Sequence, residues 1–302
     1  MSFVRLQERI DELRNPAVVG LDPDLEHVPA EIMDRHISER GENLEAASLA
    51  VYEFNTGLID ALCDIVPAVK PQSAFYEALG PYGVLTLSKT CDYARAKGMY
   101  VILDGKRNDI GSTAVAYSNA YLGVTKVGET EHLPFYADAL TVNAYLGSDG
   151  IKPFIENAVK YDRAMFALVK TSNPSAGELQ DKLIGNDTVY TVAGDLIEDI
   201  ARDTIDKFGY TCVGAVVGAT YPQEAEFLRK RLSNTFFLVP GYGAQGGSAA
   251  DVVYSFDDNG RGAIVNSSRA IIAAWKKRGG DYATAAREEA LIMRDELRKV
   301  LY

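Results

Sequence analysis

The residues best suited to chemistry lie in one short segment, residues 104–109, directly after the apolar run Met99–Leu103. Asp104 and Lys106 stand two positions apart at the predicted end of a strand, so their side chains should point to the same side. An ammonium group between carboxylates stays protonated at neutral pH, because opposite charges stabilise its charged form. We therefore predict that Lys106, between Asp104 and Asp109, is a proton donor. The alternative is that Asp109 is a helix N-cap and that the other charges are solvated surface groups.

An aspartate in this place could also act through repulsion. Two like charges about 4 Å apart repel by roughly 4 kcal/mol at an effective dielectric constant of about 20. If that repulsion disappears in the transition state, it can contribute roughly 10³ in rate. Decarboxylation meets this condition, because the substrate carboxylate leaves as neutral CO2. Decarboxylation is therefore one reaction that an aspartate in this segment could assist.

A glycine-rich segment, Val239–Ser248, is the first of two candidate phosphate sites. Gly241, Gly243 and Gly246 match the pattern GxGxxG, but they come late in the chain and not at the first strand–helix turn, where a dinucleotide site would need them. A mobile loop that closes on a phosphate explains the segment better. A merely flexible surface loop is the alternative.

The second candidate phosphate site is Asn266-Ser267-Ser268-Arg269, which follows the last apolar run of the chain. The loops after the seventh and eighth strands of α/β barrels commonly hold a phosphate. An arginine beside small hydroxyl residues suits that ligand. A surface arginine without a ligand is the alternative for Arg269.

Eight short apolar runs, rich in Val and Ile, must position these segments. Their composition is typical of parallel strands that are covered on both faces. The runs are Ala17–Leu21, Ile65–Val69, Met99–Leu103, Ala139–Val142, Ala164–Val169, Cys212–Val217, Thr235–Val239 and Gly262–Val265. Helical patterns lie around and between them, at Phe3–Leu13, Leu44–Cys63, Tyr82–Lys97, Thr188–Phe208 and Tyr282–Leu301.

Repeated strand–helix units imply a parallel sheet with right-handed crossovers. Eight units predict a closed (β/α)8 TIM barrel, a single α/β domain over residues 1–302 with helices at both ends. A doubly wound open sheet is the alternative. Active sites of such barrels lie at the carboxyl ends of the strands. Polar residues end most of the runs, namely Asp22, Lys70, Asp104 with Lys106, Asn143, Lys170 with Thr171 and Ser172, and Ser267 with Ser268 and Arg269.

Composition narrows the possible partners and cofactors. The net charge of −11 argues against a nucleic-acid partner, since nucleic-acid-binding proteins usually present a basic face. The three cysteines form no CxxC pair and the three histidines, His27, His36 and His132, show no metal-ligand spacing, so we predict no zinc or non-haem iron site. No apolar run approaches the length of a membrane span. We therefore predict a cytoplasmic protein without a membrane partner.

Six segments taken together resemble the signature of the orotidine 5'-phosphate decarboxylases, in the longer bacterial branch of that family. They are Gly20-Leu21-Asp22, Val69-Lys70-Pro71, Asp104-x-Lys106-x-x-Asp109-Ile110-Gly111-x-Thr113, Thr171-Ser172-Asn173-Pro174, Pro240–Gly247 and Ser267-Ser268-Arg269. The resemblance covers essentially the whole chain, with every segment at a predicted strand end. It implies a homodimer of (β/α)8 barrels that needs no metal and no cofactor. Such an enzyme converts orotidine 5'-phosphate to uridine 5'-phosphate and CO2 in pyrimidine biosynthesis.

The resemblance also implies roles for individual residues. Lys106 would protonate C6 of the pyrimidine as CO2 leaves, Asp104 would press on the substrate carboxylate, and Lys70 would orient Asp104 and bind the ribose. The other implied contacts are Asp22 with a ribose hydroxyl, Ser172 with the pyrimidine, Gln245 and Arg269 with the phosphate, Pro240, Gly246 and Ser268 with the substrate, and Asp109, Ile110 and Thr113 from the partner subunit. A site shared in this way needs a two-fold dimer.

Several points stay open at this level. Thr171 could take the role given to Ser172, Asn143 has no assignable role, and the stretches 24–41 and 123–134 read as long connections of unknown purpose. One rival function is that of a metal-dependent relative acting on sugar phosphates, which would need Mg2+ ligands where Lys70 stands. Another is a barrel that binds nucleotides without any chemistry.

Overall fold

The centre of the molecule is a closed barrel of eight parallel strands. The structure is a computed structural model and describes residues 2–243 and 246–302. The strands are β1 (Ala17–Leu21), β2 (Ala68–Pro71), β3 (Tyr100–Arg107), β4 (Ala139–Val142), β5 (Ala164–Lys170), β6 (Val213–Val217), β7 (Phe237–Val239) and β8 (Ala263–Ser267). Each strand pairs with the next one along the chain, and β8 closes the barrel against β1. The predicted single-domain (β/α)8 barrel is thus confirmed, and the open-sheet alternative is wrong. That the domain extends over all of 1–302 stays a prediction.

Helices surround the barrel, and most of them lie between successive strands in the chain. They are α1 (Ser2–Leu13), α2 (Ala30–Arg40), α3 (Leu44–Leu62), α4 (Ser73–Glu77), α5 (Gly80–Ala96), α6 (Gly111–Tyr121), α7 (Ser148–Tyr161), α8 (Val189–Ala201), α9 (Pro222–Arg231), α10 (Ala249–Val252), α11 (Arg269–Ile272), α12 (Trp275–Arg278) and α13 (Tyr282–Leu301). Four of the five predicted helices, α1, α3, α5 and α13, agree with the prediction within two residues. In the part of the chain that the structure describes, no helix is long and apolar enough to cross a membrane.

The remaining predicted helix, α8, ends at Ala201 and not at Phe208, and a 3-10 turn, Arg202–Thr204, follows it. Thr204 closes this end of the helix. Its Oγ1 donates to the carbonyl of Ala201 at 2.7 Å and accepts from the amide of Cys212 at 3.0 Å. A threonine that bonds nearby backbone in this way competes with continuation of the helix.

The two stretches that read as long connections are in fact partly regular. Stretch 24–41 contains α2, which fully buries only Ile32, so its apolar periodicity is too weak to recognise. Stretch 123–134 contains an antiparallel hairpin of Thr125–Val127 with Thr130–His132. Both long connections therefore contain regular secondary structure, and their purpose stays open.

Helix α1 closes the floor of the barrel, at the amino ends of the strands. Phe3, Leu6 and Ile10 on this helix are buried. The ring of Phe3 lies 4.9 Å from that of Phe236, which directly precedes β7, and 5.0 Å from that of Phe166 in β5. Each such side chain contributes roughly 1.5–3 kcal/mol through burial. The floor is therefore apolar packing, and the polar strand ends converge at the opposite mouth.

Candidate active site

A cavity of about 460 Å³ opens at the carboxyl ends of the barrel strands. The ends of β1, β2, β3, β5, β7 and β8, and the loops that follow them, supply predicted site residues to its wall. These residues are Asp22, Lys70, Asp104, Lys106, Ser172, Pro240, Ser268 and Arg269. The structure thus brings together residues that are far apart in sequence, while their contacts with a substrate stay predictions.

Asp104 is the centre of a hydrogen-bonded cluster in this cavity. Its Oδ2 accepts from Nζ of Lys70 at 2.6 Å and from Nε2 of Gln72 at 3.1 Å. Its Oδ1 accepts from Nζ of Lys106 at 2.6 Å and from Oγ1 of Thr141 at 2.8 Å. Only 6% of Asp104 is exposed. The four donors therefore hold this buried carboxylate in one position before any ligand arrives.

The charges of the cluster stabilise one another. Burial alone would raise the pKa of Asp104, but the ammonium groups of Lys70 and Lys106 outweigh burial and hold this pKa well below its usual value. Burial likewise lowers the pKa of Lys70, and the charges of Asp104 and Asp22 reverse that effect, so the net shift is upward. At neutral pH Asp104 is a carboxylate and Lys70 is an ammonium. A second carboxylate placed beside Asp104 would therefore meet a fixed negative charge.

Lys106 reaches Asp104 through an irregular strand end and not through simple strand alternation. The register between β3 and β4 shifts after Leu103, and Lys106 has a φ of 47°. This left-handed conformation costs about 1–2 kcal/mol for a residue with a Cβ. A hydrogen bond of 2.9 Å from its amide to Oγ1 of Thr141 holds it. Because 46% of the Lys106 side chain is exposed, its ammonium lies between the buried cluster and the open cavity.

The wall formed by β1 and β8 offers hydrogen-bond acceptors to a ligand. Oδ1 of Asp22 and Oδ1 of Asn266 are buried and have no hydrogen-bond partner among the residues that the structure describes. Buried acceptors of this kind require a donor, and ligand hydroxyl groups would supply it. Ser268 lines the same wall and lies directly against Gly20. A Cβ at position 20 would lie 1.8 Å from Oγ of Ser268, so only glycine allows this close packing.

The loop after β5 supplies Thr171, Ser172 and Asn173 to the cavity. Oγ1 of Thr171 donates to Oδ1 of Asn173 at 2.6 Å and accepts from Nε2 of Gln180 at 2.7 Å. The Thr171 hydroxyl is therefore used within the loop itself. That Ser172 contacts the pyrimidine stays a prediction.

The glycine-rich loop after β7 folds on itself. Gly241, Gly243 and Gly246 have φ values of 101°, 73° and 97°, a region that residues with a Cβ rarely adopt. The amide of Gly243 donates to the carbonyl of Gly247 at 2.8 Å, and the amide of Gly247 donates to the carbonyl of Gly241 at 3.1 Å. Glycine is thus needed at these positions because of the backbone conformation that the loop adopts.

The residues predicted to bind the phosphate lie further apart than the residues of the charged cluster, and they line two different openings. Pro240 and Arg269 line the main cavity, whereas Gly246 is exposed and lies at a separate opening beside Thr220. Arg269 is exposed and forms no salt bridge within residues 2–243 and 246–302. The prediction for Gln245 falls outside the described residues.

Asp109, Ile110 and Thr113 lie outside the cavity of their own chain. Oδ1 of Asp109 accepts from the amide of Ile110 at 2.8 Å, and Ile110 itself is the N-cap of α6, so the N-cap alternative for Asp109 is wrong. Ile110 is 57% exposed, and Thr113 is exposed as well. Their predicted role in a site therefore requires a second subunit.

Three polar residues of the cavity were not predicted from the sequence, namely Gln72, Thr141 and Gln180. Gln72 stands two positions after Lys70, so the alternation used for Asp104 and Lys106 could have found it. Thr141 is the one polar residue within the apolar run of β4, which is a weaker signal. Asn143, which the sequence left without a role, lies outside this cavity, and its Oδ1 accepts from the amide of Tyr145 at 2.9 Å.

Possible metal ligands are scattered. No group of three His, Cys, Asp or Glu side chains able to hold a metal ion occurs in the described part of the chain. His27, His36 and His132 do not line the cavity. Nε2 of His36 instead lies 2.9 Å from Oε2 of Glu53 on α3.

Known proteins share both the sequence and the fold. The family described as "Orotidine 5'-phosphate decarboxylase / HUMPS family" matches residues 19–279. The chain is 47% identical to an orotidine 5'-phosphate decarboxylase of Rhodopirellula baltica, over 89% of this chain and 87% of the relative. It is 42% identical to the enzyme of the same name from Caldicellulosiruptor bescii, over 90% and 89%. The solved structure of Leishmania donovani OMP decarboxylase superposes with a TM-score of 0.69 at 31% identity, covering 97% of this chain and 98% of that one. The chain therefore belongs to the orotidine 5'-phosphate decarboxylase / HUMPS family.

Proposed function

We propose that this chain is a carboxy-lyase that converts orotidine 5'-phosphate to uridine 5'-phosphate and CO2, without a metal or an organic cofactor, in pyrimidine biosynthesis. The observation that carries the proposal is the Lys70–Asp104–Lys106 cluster at the mouth of the barrel. It occurs in a chain 42–47% identical to orotidine 5'-phosphate decarboxylases over about nine-tenths of its length.

The reaction needs one bond to break and one proton to move. The bond between C6 of the pyrimidine and the carboxylate carbon breaks, CO2 leaves, and the electron pair stays on C6. The ammonium of Lys106 gives its proton to C6, which completes uridine 5'-phosphate. Its half-exposed side chain can then regain a proton from water. General acid catalysis of this kind contributes typically 10²–10⁴ in rate.

Asp104 acts on the ground state of the substrate. It stays ionised because two ammonium groups hold its pKa well below the usual value against the opposing effect of burial. The substrate carboxylate beside it is therefore repelled until it leaves as neutral CO2. Lys70 and Thr141 keep Asp104 in place during this change, since both bond its carboxylate.

The rest of the nucleotide would occupy the remaining walls. The unpartnered Oδ1 of Asp22 suits a ribose hydroxyl, and Ser172 suits the pyrimidine. The proposed phosphate site consists of Arg269 with Ser268, Pro240, Gln245 and Gly246. The phosphate is remote from C6, so its binding energy can drive loop closure and lower the barrier.

The proposal includes a homodimer in which Asp109, Ile110 and Thr113 complete the site of the partner subunit. Their exposure beside the mouth of the barrel supports it, because an apolar Ile110 left open to water suits an interface. A cytoplasmic location also stays a prediction. The free cysteines Cys63, Cys91 and Cys212 suit a reducing compartment.

The ammonium of Lys70 is the argument for chemistry without a metal. It lies 2.6 Å from Asp104 and interacts with the charge of Asp22, so it supplies the positive charge that these carboxylates would otherwise seek in a cation. In a metal-dependent sugar-phosphate relative, a cation would have to displace it.

The deciding experiment follows the ultraviolet absorbance of orotidine 5'-phosphate with purified protein, with and without a chelator. Loss of the orotate band and release of uridine 5'-phosphate, unchanged by the chelator, is the expected result. Turnover that collapses with chelation would overturn the metal-free mechanism. No turnover by folded protein would overturn the function, and tight binding of uridine 5'-phosphate would then identify a nucleotide-binding barrel without chemistry.

A further inference from the structure

Lys170, the last residue of β5, is a buried cation that the proposed chemistry does not use. None of its surface is exposed, and its Nζ forms an ion pair with the carboxylate of Asp181. The same Nζ lies 4.4 Å from the ring centre of Tyr221 and 5.3 Å from that of Tyr190. Burial of the Lys170 ammonium away from water is unfavourable, and the attraction of Asp181 and of the aromatic faces must offset it. Lys170 does not line the cavity, so a direct contact with substrate does not explain it.

The ion pair joins the two ends of the β5 loop, which we define as residues 171–181. Lys170 directly precedes this loop, and Asp181 is its last residue. A second closure lies one position further in on each side. Nε2 of Gln180 donates to Oγ1 of Thr171 at 2.7 Å, and Oε1 of Gln180 accepts from the amide of Thr171 at 2.9 Å. The base of the β5 loop is therefore fixed by two consecutive pairs.

Ser172 comes directly after these closures and lines the cavity. Its place against the neighbouring strand is tight, because a Cβ at Gly218 would lie 2.9 Å from both Cβ and the amide nitrogen of Ser172. The amide of Gly218 donates to the carbonyl of Lys170 at 2.8 Å. Ser172 and the backbone of Lys170 therefore both pack against Gly218.

We propose that the Lys170–Asp181 ion pair positions Ser172 against the pyrimidine ring of the bound nucleotide. The identity of the ring rests on the proposed function. Lys170 and Asp181 touch no substrate and act as positioning residues through the base of the β5 loop. Loss of the ion pair should therefore weaken recognition of the base and leave recognition of the ribose phosphate unchanged.

The first test uses Lys170→Met, which removes the ammonium and keeps an unbranched side chain in the buried place. The carboxylate left behind is tolerable, because 47% of the Asp181 side chain is exposed and can be hydrated. The value of kcat/KM for orotidine 5'-phosphate should fall by about 10- to 100-fold, the scale of a misplaced contact. Glu178→Gln, which changes an exposed carboxylate of the same loop, is the matched control and should stay within about twofold.

Binding constants for two ligands distinguish a misplaced Ser172 from a general disturbance of the whole site. Calorimetry should show uridine 5'-phosphate binding about tenfold more weakly to Lys170→Met, with ribose 5-phosphate within about twofold of the unaltered chain. An equal loss for both ligands, or no loss for either, would overturn the inference. Should Lys170→Met fail to fold, Lys170→Met/Asp181→Asn, which removes both charges, is measured in its place.

A double-mutant cycle tests whether the ion pair acts through Ser172. When Ser172 is already Ala, adding Lys170→Met should weaken uridine 5'-phosphate binding by less than about threefold, because residues that act as a unit are not additive. The full tenfold loss on the Ser172→Ala background would overturn the inference. These constants do not depend on turnover. A chain that binds uridine 5'-phosphate without decarboxylating orotidine 5'-phosphate would therefore refute the proposed function and still decide the role of Lys170.

Discussion

The two ends of the cavity are built in different ways. At the end that holds the charged cluster, Asp104 is 6% exposed and is fixed by four donors from β2, β3, β4 and the residue after β2. At the phosphate end, Arg269 is exposed, and the loop after β7 is held by hydrogen bonds within its own glycines. The charged cluster is held in place before substrate arrives, whereas the phosphate end is open.

This difference assigns different work to the two ends. Fixed charges around Asp104 need no rearrangement when the reaction occurs, which is the most effective form of electrostatic catalysis. An open phosphate end lets substrate enter and product leave, and it gains its contacts only when the loop closes. Substitutions at the two ends should therefore change kcat and KM in different proportions.

The largest effect is expected from Lys106→Ala, which breaks the preformed end. The value of kcat should fall by about 10⁴, the upper range for loss of a general acid, while KM and the melting temperature change little. Stopped absorbance assays and circular dichroism check both points. Lys126→Ala, in the exposed hairpin far from the mouth, is the control. Turnover within about tenfold of the unaltered chain would remove Lys106 as proton donor.

Arg269→Ala tests the open end and should cost less. We expect kcat/KM for orotidine 5'-phosphate to fall by about 10², because one charged phosphate contact is lost. Orotidine, which lacks the phosphate, should react equally slowly with the variant and the unaltered chain. An equal loss on both substrates would show that Arg269 serves something other than the phosphate.

A mixture of two inactive variants tests whether the end of the cavity with the charged cluster also needs a residue from the partner subunit. In a mixed dimer of Lys106→Ala and Asp109→Ala chains, both defects fall in the same site, so the other of its two sites is intact. After random exchange, about a quarter of the activity per site should return. Native mass spectrometry confirms that mixed dimers form. Mixed dimers without activity would refute the contribution of Asp109 to the partner site.

The smallest effect concerns stability in acid. The pKa of Asp104 is lower in the folded chain than in the unfolded chain, because the lysine charges outweigh burial. Its stabilising contribution, of the order of 2 kcal/mol, is therefore present above about pH 4 and is lost as the pH falls toward the folded pKa. Urea unfolding should be measured between pH 5 and pH 3 for the unaltered chain and for Lys70→Met/Asp104→Asn. The unfolding free energy should fall more steeply with falling pH in the unaltered chain, by a slope that corresponds to the uptake of up to one more proton on unfolding. Equal slopes would contradict the assignment.

The sequence was sufficient for the barrel and for much of the site, for identifiable reasons. Continuous apolar runs such as Ala164–Val169 have few interpretations other than buried strands, and polar residues at their ends mark the mouth. The sequence missed Thr141, because one hydroxyl in an apolar strand says nothing about what it faces. Strand alternation was also the wrong explanation for the contact between Lys106 and Asp104. This contact depends on a shift in strand register and on the left-handed backbone of Lys106.

Helix α1, which closes the floor of the barrel, has a consequence for biosynthesis. This helix is made before any strand of the barrel, yet its partners Phe166 and Phe236 lie more than 160 residues further along the chain. Contacts between such distant residues form slowly during folding. On the ribosome, the apolar face with Phe3, Leu6 and Ile10 stays uncovered until β7 has been synthesised. The segment that closes the floor of the finished barrel is thus open to chaperones while most of the barrel is being made.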